Sequence, residues 1–451
     1  MEAWARAPRT LTDARGALAR GETTAATLVE ESLRAAQEYA ACNALAHLDA
    51  ERARAEAERC DAEARRGAAL GPLHGLPITV KDLFSVDGMP TRGGTRAALP
   101  DLGGEASAVA RLRRAGAIVF GKTNLHEIAA GVSGENAATG DVCNPYDLAR
   151  QAGGSSSGSA AAVASGIGLA SLGSDTGASI RLPAALCGVV GFKPSYGLVP
   201  LDGALPLSWS CDHAGPLALS VDDAHLLSEV LAAQPLALRP VRACAPARLG
   251  FPQRVLAGWL GSSVRAAFEA LIARLGDYGV TIVEVDAPSM EESLPLYGVI
   301  RGAEAAFVHR AALAREPENF SPAVRERLLQ GRAVSAQAYF EAQRARQTIE
   351  REIAESLMSV DAWILPSAPL PAPLRGAEMV ALERGLTEHR TAFVRLTLPF
   401  NLARVPALSI PFAREAGLPL GVQLVGSRGA DARVLEIGRW LEAFSSGSAL
   451  A

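Results

Sequence analysis

No charge of one sign dominates this chain. Its 44 lysines and arginines face 48 aspartates and glutamates, a net charge of −4. It therefore lacks the electrostatic footprint of a protein built to hold nucleic acid or an anionic membrane. No run of about 18 apolar residues occurs, which excludes a transmembrane helix. The first residues, Met1 to Arg6, have no apolar signal core behind their charge. The six cysteines (Cys42, Cys60, Cys143, Cys187, Cys211 and Cys244) show no CxxC spacing and read as reduced, mostly buried small residues of a cytosolic protein. Seven histidines fall in no HExxH or other ligand pattern, so neither a metal nor another cofactor is expected. Internal repeats and low-complexity tails are missing too. What remains is 451 residues, 49% hydrophobic, enough for a large core in one big α/β domain or in two domains.

The most informative stretch runs from Gln151 to Pro200. It holds two serine clusters, Ser155-Ser156-Ser157 and Ser179. The Ala-rich segment between them predicts a helix over 159–165. A short buried strand follows over 169–172, then a turn over 173–178 that presents Ser179. A Gly/Ser linker would not alternate with apolar runs of this length.

Along the rest of the chain, apolar spacing predicts helices over 14–36 (broken at Gly21), 49–66, 106–116, 221–232, 263–278 and 430–444. Strands are expected over 78–82, 118–120, 248–251, 280–285 and 361–366. The segment 292–358 reads as mostly helical, poor in motifs, and suited to a substrate-shaping insertion near 290–358. A lysine beside an aspartate is ordinarily a solvated surface charge. Strand alternation instead sends Lys81 and Asp82 to opposite faces, which leaves Lys81 away from its neighbour's charge.

Three blocks of the serine-rich stretch carry a resemblance: 153–159 (GGSSSGS), 173–181 (GSDTGASIR) and 187–194 (CGVVGFKP). With Gly71 to Asp82, the GKTN block at 121–124, and closing blocks over 398–402, 406–411 and 421–426, they resemble the amidase signature family. Ser157 and Ala178 stand where that family most often has glycine. The resemblance implies one α/β domain over 1–451, a large twisted mixed β-sheet with helices on both faces. It implies an enzyme cleaving an amide C–N bond in a small molecule, with carbamates and esters also within reach, and it is compatible with a homodimer.

The resemblance further implies a serine–lysine relay. Ser179 attacks the carbonyl, Ser155 (after a cis Gly154–Ser155 bond) passes the proton on, and Lys81 receives it. Backbone N–H groups of Thr176, Gly177, Ala178 and Ser179 form the oxyanion hole. Such a lysine must be uncharged, and burial without a carboxylate partner moves it that way. Asp175 and Arg181 read as an ion pair that ties the loop. His126 tempts as a triad histidine but reads as structural or rim, because the family has no catalytic histidine there.

Three rival readings stand beside this one. Residues 154–158 fit GxSxG with Ser156 attacking, but a loop precedes them where that motif needs a strand. An anion-binding nest lacks GxxxxGK[ST]. Within the family, Tyr339 to Gln343 resemble the amidase subunit of a glutamine-dependent tRNA amidotransferase.

Overall fold

The computed structural model describes residues 9–446 apart from residue 233. The signal-core reading of Met1 to Arg6 lies outside the described residues. Eleven strands form one mixed sheet. In chain order they are β1 (Leu45–Leu48), β2 (Pro77–Lys81), β3 (Ile118–Thr123), β4 (Ala170–Asp175), β5 (Val190–Lys193) and β6 (His213–Ala218). Then come β7 (Arg248–Phe251), β8 (Thr281–Glu284), β9 (Ala362–Pro366), β10 (Ala407–Glu415) and β11 (Leu418–Val425). The spatial order is β1-β3-β2-β4-β6-β5-β10-β11-β9-β7-β8. Parallel pairs (β2 with β3 and β4, β7 with β8 and β9) flank an antiparallel middle, and β1 adds an antiparallel edge beside β3.

Alternate residues of a strand enter different cores, so both faces of the sheet are covered. Ala362 and Ile364 of β9 join one apolar cluster, Trp363 and Leu365 another. In β2, Ile78 and Val80 occupy the first cluster, which sends Lys81 to the opposite face. Two helices cover that face beside it: α1 (Ser157–Ala164) and α2 (Arg181–Cys187), both fully buried. A close approach explains the glycine in α1. A Cβ on Gly158 would lie 2.3 Å from the Ala44 carbonyl oxygen and 2.4 Å from that of Asn124.

Three expectations need correction. The turn expected over 173–178 begins later, because Ser174 and Asp175 continue β4 by pairing with Ala214 and His213 of β6. The helix expected from 159 starts at Ser157, one residue after Ser156. Residues 398–402, grouped with the closing strands, include a short helix, Pro399–Leu402, for which proline at the first turn is well suited.

The segment from 292 to 358 is helical as expected. Its main pieces are α3 (Ser293–Val308), α4 (Pro322–Arg332) and α5 (Ala336–Leu357). Among the described residues no helix is long and apolar enough to cross a membrane. All six cysteines are free and buried.

Candidate active site

Lys81, at the carboxyl end of β2, is completely buried. Its Nζ lies 2.8 Å from Ser155 Oγ, 3.0 Å from Ser156 Oγ and 2.9 Å from Ser174 Oγ. Among the described residues no carboxylate touches it. Asp82 turns away, as alternation predicts, and pairs with Lys122 at 2.9 Å. Burial lowers the Lys81 pKa to about 7, while the more distant charges of Asp175 and Asp212 pull it back upward.

The three serines differ in what their protons can do. Ser156 Oγ donates to the Ser174 carbonyl at 3.0 Å, so it meets Lys81 only as an acceptor. A neutral lysine amine has two N–H donors and one lone pair. The hydroxyl that donates into that lone pair must therefore come from Ser155 or Ser174.

Ser155 follows the cis Gly154–Ser155 peptide. Ser179 stands at the turn between β4 and α2, is 5% exposed, and makes no side-chain hydrogen bond among the described residues. Its carbonyl accepts from Ser156 N–H at 3.2 Å, which brings the two serine segments together. The Gly177, Ala178 and Ser179 N–H groups donate to no acceptor among the described residues. Ala178 is buried in an apolar cluster with Leu182 and Tyr297, and its φ is not in the left-handed region. Glycine is thus not required at this position. Ser157 likewise fits the first turn of α1 without a positive φ.

The Asp175–Arg181 ion pair read from the sequence is present, fully buried, with N–O distances of 3.0 and 3.1 Å. Asp175 also accepts from Ile180 N–H and Asn401 Nδ2. Burial opposes its charge, but Arg181 beside it holds the carboxyl well below the usual carboxylate range. Arg181 in turn reaches the Thr397 carbonyl and Asn401, so the loop is tied to the far end of the chain.

His126 is not joined to this cluster through its ring. Its Nδ1 is enclosed without a partner, and its ring packs on Gly131. Burial, then the charges of Arg327, Arg390 and Lys81, lowers its pKa to about 3.

Sequence reasoning missed Asp212. It is buried just before β6, accepts from Thr176 Oγ1 at 2.6 Å and from the Leu207 and Ser208 N–H groups, and so anchors the turn leading to Ser179. Burial raises its pKa to about 6 against those hydrogen bonds. No motif or periodicity marks it.

One group with metal-type ligands, Cys60, Glu63 and His74, occurs elsewhere among the described residues. Burial raises the Cys60 thiol pKa, which keeps it protonated and a poor ligand.

A mixed eleven-stranded sheet with a buried lysine among serines at the carboxyl end of β2 points to an α/β enzyme of carbon–nitrogen bond chemistry. The chain belongs to the amidase family, whose model matches residues 27–435. It is 36% identical over 476 aligned positions to a glutamyl-tRNA(Gln) amidotransferase subunit of Chloroflexus aggregans, covering 95% of each chain. A solved structure described as an amidase is 53% identical, with a TM-score of 0.94 over 97% of this chain and 100% of that one. Another, solved in work on the origins of an s-triazine catabolic enzyme, is 33% identical with a TM-score of 0.90 over 97% and 98%.

Proposed function

We propose that this protein hydrolyses the amide bond of a small molecule through an acyl-enzyme on Ser179, with Ser155 and Lys81 as the proton relay. Ser179 Oγ bonds to the carbonyl carbon as its proton passes to Ser155, whose own proton passes to Lys81. The N–H groups of Thr176, Gly177, Ala178 and Ser179 receive the developing oxyanion. Collapse breaks the C–N bond, the returning proton leaves with the amine, and water then frees the acid along the same relay. The buried Lys81 amine, bonded by serine hydroxyls and by no carboxylate among the described residues, carries the reading. Only an amine that loses its proton near neutral pH can serve as the base. Ser179→Ala is expected to abolish turnover and fluorophosphonate labelling in a folded protein. Labelled-peptide mapping to Ser156 or Ser157 would refute the assignment.

A second reading is favoured by the 36% identity to a glutamyl-tRNA(Gln) amidotransferase chain. Under it the same residues release ammonia from glutamine for a partner. Turnover of simple amides by the isolated chain, without glutamine, supports the first reading; turnover of glutamine only with partner chains supports the second.

A further inference from the structure

The turn ahead of Ser179 is fastened by its carbonyl oxygens. The Asp175 carbonyl accepts from Asn401 Nδ2 at 3.0 Å, and the Ala178 carbonyl from the Leu182 N–H at 2.8 Å. The Ser179 carbonyl takes the Ser156 N–H, and the Gly177 carbonyl takes the Thr397 hydroxyl at 2.7 Å. The peptide that ends in the Ser179 N–H is thus held by the main chain of α2. The peptide that ends in the Ala178 N–H is held by a side chain 220 positions further along.

The Thr397 hydroxyl has one proton and two carbonyls within reach, Gly177 at 2.7 Å and Val394 at 3.1 Å. The Val394 carbonyl already accepts the N–H groups of Thr397 (3.1 Å) and Leu398 (2.9 Å), which occupy its two lone pairs. The Gly177 carbonyl has no other donor among the described residues. The proton therefore goes to Gly177. Thr397 is itself fixed to the same loop, because its carbonyl accepts from Arg181 at 2.8 Å and Arg181 is paired with Asp175.

The Gly177–Ala178 peptide is trans, so its N–H points opposite to its C=O. Holding the Gly177 carbonyl on Thr397 aims the Ala178 N–H the other way. That N–H donates to no acceptor among the described residues, although Ala178 is only 1% exposed. A buried N–H left without an acceptor costs stability, and a turn that keeps one is shaped for an acceptor that arrives with a ligand.

We infer that Thr397 is a positioning residue of the oxyanion hole: its hydroxyl sets the plane of the Gly177–Ala178 peptide and so aims the Ala178 N–H at the oxyanion formed on Ser179. This inference rests on the acyl-enzyme reading. Thr397 is completely buried, so it acts through the peptide and touches no substrate atom. A dipole held in place beforehand needs no reorganisation as the charge develops. Without the hydroxyl, the Gly177 carbonyl loses its one donor and the peptide is free to turn. The Ser179 N–H stays in place, since Leu182 holds that peptide independently.

The test measures the rate constant for fluorophosphonate labelling of Ser179, with kcat and KM for p-nitrophenyl butyrate, in the full chain, Thr397→Val and Thr397→Ser. Phosphonylation, like acylation, builds negative charge on an oxygen that the hole must hold. Thr397→Val keeps the shape and removes the donor. Its labelling constant and kcat are expected to fall on the order of 10- to 100-fold with KM within about threefold, less than for a donor removed outright, because the N–H is misaimed and not lost. Thr397→Ser, which keeps the hydroxyl, restores most of both. The pH limb of labelling stays where it is, since the relay is untouched, and only the plateau drops. A rate constant does not depend on how much of the protein is folded. A threonine that only supported the fold would therefore lower the thermal midpoint and leave both constants unchanged. That result, a loss confined to KM, or a shifted pH limb overturns the inference. Should Thr397→Val fail to fold, Thr397→Cys, similar in size with a weakly donating thiol, is expected to lower the same constants, and unchanged constants there overturn the inference equally. Should the ester not turn over, the labelling constant decides. No labelling of Ser179 in the unaltered protein overturns the acyl-enzyme reading and this inference with it; labelling at Ser179 that is equally fast in Thr397→Val removes the role of Thr397 alone.

Discussion

Lys81 sets the pH dependence of the proposed reaction. Burial takes its pKa from an ordinary 10.5 to about 7, a difference of roughly 5 kcal/mol at about 1.36 kcal/mol per pH unit. At pH 7 about half of the molecules then hold the neutral amine, against roughly 1 in 3,000 for an ordinary lysine. The rate of Ser179 labelling by a fluorophosphonate is expected to rise through an apparent pKa near 7 and stay level into the alkaline range. Lys81→Met should lose that limb. Asp212, with a pKa of about 6, is the neighbour able to mimic it, so Asp212→Asn must retain the limb; His126, at about 3, titrates too low. The base can also be observed directly. The chain has three lysines, Lys81, Lys122 and Lys193, all buried. Lysine-selective isotope labelling therefore yields three side-chain signals, and Lys81→Met identifies one of them. Linkage gives an independent readout. The folded value lies below the unfolded one, so the unfolded chain binds more protons between about pH 7 and 10.5. Lys81 thus makes stability rise with pH across that window, and Lys81→Met should remove this component of the slope. A Lys81 signal titrating near the ordinary value, or an unchanged labelling limb in Lys81→Met, would refute the reasoning.

Ser155→Ala is expected to slow turnover severely while leaving some labelling of Ser179, since Ser155 forms no covalent bond. Ser156→Ala should leave the site of labelling at Ser179, because the Ser156 proton is already given to the Ser174 carbonyl; mapping the labelled peptide checks both. Arg181→Met leaves Asp175 buried without its cation, so urea denaturation should show a loss of about 3–5 kcal/mol. Gly158→Ala drives a Cβ into two backbone carbonyls at 2.3 and 2.4 Å and should lower the thermal midpoint sharply or prevent soluble expression; a wild-type melting curve would contradict the packing of α1.

Much of the site was legible because the informative blocks are local. Gly153 to Ser159, Gly173 to Arg181 and the Val80-Lys81-Asp82 step each act over a few residues. Strand alternation predicted that Lys81 and Asp82 part, and the turn after β2 together with Lys122 holds Asp82 away. The Asp175–Arg181 pair was readable because six positions span one turn into α2. Helix boundaries fell close to expectation for a similar reason: Thr24 and Asp49 each accept from the N–H three residues on, a signal contained in the sequence itself.

The amino-acid sequence by itself determined which residues are candidates for the proposed chemistry, since composition, alternation and motif spacing act at short range. Tertiary structure decided which hydroxyls are free to move a proton. Ser155 and Ser156 are neighbours in sequence, yet Ser156 gives its proton to a carbonyl of β4, eighteen residues away, while the Ser155 hydroxyl bonds only Lys81 among the described residues. Asp212 matters only because β6 pairs beside β4 and brings it to Thr176. Thr397 stands 220 positions from Gly177 and reaches its carbonyl only when the two segments pack together. Such meetings depend on burial and strand pairing between distant segments, and no local pattern records them.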